Sequence, residues 1–133
     1  MKITIEEIMT FCQSREVDLV LRSADAPHQL CLHGEFDGYG DLFSILVGGV
    51  EYIDVAGGFP VGGIQEMSFS DAQFIAPKWA NLAGEYSGRC LVIWNANAAM
   101  LRASPDKHRY LVVANDIEIE SGHDWMPVSG GRG

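Results

Sequence analysis

Asp54 and Asn115 are polar residues that pattern onto otherwise apolar strand faces, and of this chain's 133 residues they are the pair best placed to do chemistry. A carboxylate taken out of water is destabilised unless it is paired, so it tends to hold its proton to higher pH and can exchange it near neutrality. With Asn115 as its partner, Asp54 could act as an acid or base, and Asn95 could help to orient a small ligand or a water. Tyr52, Phe59, Trp79 and Trp94 would supply an aromatic wall. A structural reading competes with this one: Asp54 caps the turn that begins at Gly57-Gly58, and Asn115 marks a bulge or bonds to backbone.

Two further constellations carry ligand-type side chains. Cys31, His33 and Glu35 alternate along one strand, with Asp18 expected opposite His33. These are metal-ligand types, and an Asp–His pair can also make a general base. Alternate residues on a strand lie roughly 6–7 Å apart, however, which is wide for atoms that must each sit about 2 Å from one ion. Asp116, Glu118 and Glu120 share another face, followed by His123 and Asp124. Three acids in a row suit a hard cation or a basic partner, and they also keep a strand soluble and its edge unreactive. The chain has no nucleophile elbow, zinc-protease helix, phosphate loop or dinucleotide fingerprint. Gly57-Gly58-Phe59-Pro60-Val61-Gly62-Gly63 lacks the Lys-Ser/Thr and helix start of a phosphate loop. No cofactor and no defined metal ligand set is implied.

The bulk chemistry narrows the partners. Eighteen acids against nine bases give a net charge of −9, which repels phosphates and argues against nucleic acid. A basic protein surface or a small apolar ligand suits the chain better. Cys12, Cys31 and Cys90 are an odd, widely spaced set without a CxxC, which points to reduced, buried thiols and a cytoplasmic setting. The N-terminus has early acids and no apolar signal core, and no apolar run is long enough to cross a membrane.

These residues must be positioned by a β-rich frame. Thr4 and Glu7 make a capping box for a helix over residues 4–14, whose apolar stripe is Ile5, Ile8, Met9 and Cys12. From Val17 the period becomes two, and a four-residue loop at 24–27 would pair Leu21 with Leu30 and Leu19 with Leu32. Three Gly-Gly pairs follow within sixteen residues. Gly48-Gly49 reads as a two-residue hairpin turn, which pairs Val47 with Val50 and sets Tyr52 and Asp54 on the core face with Phe43 and Ile45. The other two pairs bracket Phe59-Pro60-Val61 as a mobile loop, with a short strand over 64–69. Ser70-Asp71 reads as a helical turn and Pro77 as a first helical position. Ser104-Pro105-Asp106-Lys107 is a type I turn that would pair Met100 with Leu111 and Val92 with Ile119; an alanine-rich helix over 97–103 competes with the strand there.

The expected fold is therefore α+β, an N-terminal helix packed on a strongly curved antiparallel sheet or small open β-barrel of about seven strands. It occupies residues 1–128 as one domain, with 129–133 as a flexible tail. The expected function is a non-catalytic binding module for a small apolar ligand or a basic protein partner, immunity- or antitoxin-like in the second case. The alternatives are a small hydrolase or isomerase built on Asp54 and a divalent-metal binder. Pairing of two copies through a strand edge fits the same frame.

Overall fold

A computed structural model describes residues 2–36, 39–75, 77–82, 86–96 and 109–126. Helix α1 (Ile5–Ser14) starts where the sequence places it. The Thr4 side chain accepts the Glu7 N–H, and the Glu7 carboxylate accepts the Thr4 N–H. Both groups answer backbone donors that a helix start leaves unmatched. Ile8 and Phe11 on its apolar stripe are buried in the inner core.

Six antiparallel strands close into a barrel: β1 (Asp18–Ser23), β2 (Leu30–Phe36), β3 (Tyr39–Asp54), β4 (Gly58–Met67), β5 (Arg89–Asn95) and β6 (Arg109–Ser121). Their order around the barrel is β1-β2-β3-β6-β5-β4, and β4 returns to β1 through Asp18–Pro60, Leu19–Phe59 and Val20–Gly58. Inward side chains fill the barrel, with Leu19, Leu32, Phe43, Ile45, Leu91, Ile93 and Val112 all fully buried. A barrel this narrow is a packed core, and each such aliphatic contributes about 1.5–3 kcal/mol of burial.

The expected hairpin at Gly48-Gly49 does not form. Both halves belong to one sixteen-residue strand that pairs with β6 from Phe43–Ser121 to Asp54–Leu111. The thirteen-residue β6 offers β3 a partner on both sides of the glycine pair, so pairing the two halves with each other would abandon most of that ladder. Gly49 does take a left-handed φ of 60°, as the turn reading required, but there it bends the strand rather than reversing it. The in–out alternation slips at this point: Val47 and Val50, three residues apart, both pack in the inner core, as do Ala114 and Ile117 of β6. A bulge between Val50 and Tyr52 then turns Tyr52 and Asp54 to the outside, against the sequence expectation. One hairpin fewer leaves six strands instead of about seven.

Phe59-Pro60-Val61 is strand rather than mobile loop. Phe59 and Val61 point inward, 5% exposed each, and Gly62 sits in a bulge where β4 passes close to Ala96. The β1–β2 hairpin keeps the expected faces but is shifted by two, Leu21 facing Leu32 and Asp18 facing Glu35, because the connection spans residues 24–29. β5 and β6 pair as Val92–Leu111 and Trp94–Arg109, eight residues from the expected register. The even shift preserves the faces as far as Ala114, beyond which the slip carries Ile117 and Ile119 inward, away from the outer face of Val92 and Trp94; the turn at 104–107, the segment 97–103 and the tail lie outside the described residues.

A second core covers the outer face of β5 and β6. Helix α2 (Phe69–Gln73), capped by Ser68, and a 3-10 turn Pro77–Trp79 lay Ala72 and Trp79 on Cys90, Val92, Leu111 and Val113. Pro77 opens its turn, as the sequence indicates. Among the described residues no helix is long and apolar enough to cross a membrane.

Candidate functional site

The barrel wall is incomplete where its strands differ in length. β5 stops pairing with β6 at Arg89–Ala114, while β6 runs on to Ser121. On the other side β1 stops pairing with β4 at Asp18–Pro60, and the Val61 N–H continues the contact, bonding to Val17 O at 2.9 Å. Among the described residues two strand edges are thereby left without a neighbouring strand, and the chain before and within α1 runs between them. Lys2 bridges to Glu120, Ile3 N–H reaches Ile119 O at 3.4 Å, and Ile64 N–H meets the Met9 sulfur at 3.1 Å.

What remains open is a cleft of about 720 Å³. Ile3, Ile5, Met9, Ile64, Ile117 and Ile119 give it apolar lining, and Lys2, Thr4, Glu6, Gln65, Glu66, Arg89 and Glu118 give it polar lining. Arg89 holds the wall together. Its guanidinium binds Glu66 through Nε–Oε2 at 2.9 Å and Nη2–Oε1 at 2.7 Å, and Nη1 donates to Ile117 O at 2.9 Å. That carbonyl belongs to the β6 edge β5 does not reach, so Arg89 supplies the donor a strand would have given. Arg89 holds the Glu66 carboxyl below the usual glutamate range, and the pair keeps Arg89 firmly charged.

The residues singled out from the sequence separate into three places. Asp54 lies on the outer face, where its Oδ2 pairs with Lys78 Nζ at 3.0 Å and accepts from Trp79 Nε1 at 3.5 Å. Tyr52 and Trp94 pack on the same outer core as Trp79, so part of the aromatic wall does gather beside Asp54. Burial, then the nearby Asp54 charge, pushes the Tyr52 hydroxyl up. Phe59 points into the barrel against Tyr110, their rings 4.3 Å apart, and Asn95 Nδ2 reaches the Tyr110 hydroxyl at 3.4 Å. Asn115 is exposed beside Gly49, while Asp54 faces Leu111, four positions or roughly 13 Å along β6. The structure thus does not bring Asp54 and Asn115 together.

Cys31, His33 and Glu35 do share one face of β2, and all three are buried. His33 Nε2 lies 2.9 Å from Asp41 Oδ1 and Nδ1 lies 3.4 Å from Glu35 Oε2; Arg22 Nη2 closes on the same Glu35 oxygen at 2.8 Å. Both imidazole nitrogens are engaged, so His33 links β2 to the start of β3 and offers no free base. Asp41, which the sequence reading missed, is held below the usual carboxyl range first by His33 and then by the His123 N–H. Burial raises all three thiols, Cys12 to about 11.

The sequence reading also missed the cleft. Arg89 and Glu66 face each other only because β4 and β5 pair, and no local pattern marks that. Comparison with known protein families, curated proteins and solved structures returns no match for this chain.

Proposed function

We propose that this protein is a non-catalytic binding module that takes a small, mainly apolar ligand into the cleft between α1, β4 and the free edge of β6. The observation that carries this reading is the gap itself: two strand edges diverge, and the space between them is about 720 Å³, lined by six large apolar side chains together with polar ones. Small-molecule sites have this size and composition, with few polar groups that orient the ligand. The barrel interior is filled by side chains, which favours the cleft over the lumen. Arg89 is already paired with Glu66, so Lys2 and Glu6 are the lining charges that would orient the ligand's polar end.

The test is fluorescence titration of the full chain with 8-anilinonaphthalene-1-sulfonate, an apolar anion. Saturable binding that Ile119→Glu abolishes, in a protein that keeps its thermal transition, supports the reading. Binding unaffected by Ile119→Glu would place the ligand elsewhere.

Two other readings have narrower support. An acid–base enzyme built on Asp54 is favoured by the neighbouring Tyr52 and Trp79, but Lys78 and Trp79 already engage the carboxylate. A basic protein partner is favoured by Asp116, Glu118 and Glu120 on the outside of β6; recovery of a cationic partner that falls with added salt would support it.

A further inference from the structure

The connection from β1 to β2 crosses the outside of β3. Gln29 pins it there, its N–H bonded to Val47 O at 2.8 Å and its Oε1 accepting the Val50 N–H at 2.9 Å. The residue underneath is Gly48, where a Cβ would come within 3.3 Å of Pro27 O and 3.6 Å of His28 Cα. Lacking that atom, Gly48 lets the connection lie against the sheet. In the β3–β6 ladder Gly48 faces Asp116 and Leu46 faces Glu118, so the close approach brings His28 to two carboxylates of β6.

His28 Nε2 is 3.3 Å from Asp116 Oδ2 and 3.5 Å from Glu118 Oε2, and ligand atoms of the three residues all lie within 4.8 Å of one another. The imidazole side chain is 12% exposed, and Nε2 itself is shielded from solvent with no hydrogen-bond partner among the described residues. A shielded ring nitrogen between two carboxylates without an aligned hydrogen bond is an unsatisfied group of the kind that a bound ion completes. Four ligands at about 2.0–2.1 Å around zinc are separated by about 3.3–3.4 Å when tetrahedral, which matches both nitrogen–oxygen separations. Calcium and magnesium prefer all-oxygen sites with more ligands, so the donor set favours a borderline transition ion.

We propose that His28 Nε2, Asp116 and Glu118 bind a zinc-class divalent ion, leaving a fourth position for water or a ligand atom. The ion fastens the β1–β2 connection to β6 across β3. The acids were visible in the sequence; His28, 88 positions from Asp116, was not.

Calorimetric titration of the full, tag-free chain with zinc chloride tests this, with cobalt(II) absorption to report coordination. One ion per chain is expected, with d–d bands of a four- or five-coordinate site, and each of His28→Gln and Asp116→Asn should weaken binding at least about tenfold. Far-ultraviolet circular dichroism verifies that the variants fold; Asp116 is half exposed, so its isosteric change leaves the core untouched. His123→Gln should bind like the parent. No heat at about 1 mM zinc, or binding that survives either substitution in a folded variant, overturns the site. The titration uses no apolar probe, so its outcome is independent of the cleft reading.

Discussion

Replacing Arg89 with Met should cost far more than replacing its partner Glu66 with Gln, although both break the same ion pair. The two side chains are 47% and 39% exposed, so the pair itself contributes only about 0.2–1 kcal/mol despite its two-point geometry. Arg89 does something further, since Nη1 satisfies the partly buried Ile117 carbonyl at the β6 edge. Losing a charged donor to such a group costs about 1–3 kcal/mol. Arg89→Met should therefore lose about 2 kcal/mol, and Glu66→Gln about 0.5 kcal/mol. For a chain of this length the corresponding falls in Tm are about 7 °C and 2 °C. Urea and thermal denaturation of both variants and the double variant would measure them, and the cycle would isolate the pair. Equal losses from the two single variants would refute the argument that Arg89 substitutes for a missing strand.

Three other outcomes follow from the fold. Gly49→Val forces a β-branched residue to φ 60° with its Cβ 3.0 Å from that of Asn115, so a loss of at least about 2 kcal/mol in urea denaturation is expected; a neutral result would contradict the bend. Trp79→Ala removes a fully buried ring from the outer core and should cost about 3–5 kcal/mol while the near-native strand signal in circular dichroism persists. Asp41 is depressed in the folded state, so its contribution is present above the ordinary aspartate range and is lost as pH falls through its folded value. Asp41→Asn should therefore flatten the acid side of a Tm-against-pH curve; an unchanged slope would show that the His33 and His123 contacts carry no stability.

Local chemistry made much of this fold legible. Thr4 with Glu7 states its helix in a few residues, Ser70-Asp71 and Pro77 only hint at theirs since the cap of α2 is Ser68 inside the expected 64–69 strand, and period two assigns Leu91, Ile93, Tyr110 and Val112 to one face. Strand length and register are not carried locally: β1 pairs with β2 and β5 with β6 as the sequence indicates, but both registers shift. Gly48-Gly49 carries the residue type of a hairpin turn, but only β6, sixty residues later, decides that β3 continues straight through it. The bulge after Val50 then moves Asp54 from the inner face to the outer, so the site inferred from that register dispersed. The cleft and the His28 cluster arise where strands end or cross, which leaves no periodic trace in sequence.

The proposed ligand site is the cleft between α1, β4 and the edge of β6. Amide chemical-shift mapping of the isotopically labelled chain with 8-anilinonaphthalene-1-sulfonate tests it most directly. The largest shifts are expected at Ile3, Ile5, Met9, Ile64 and Ile117–Ile119; shifts concentrated instead around Tyr52, Asp54 and Trp79 would contradict the claim.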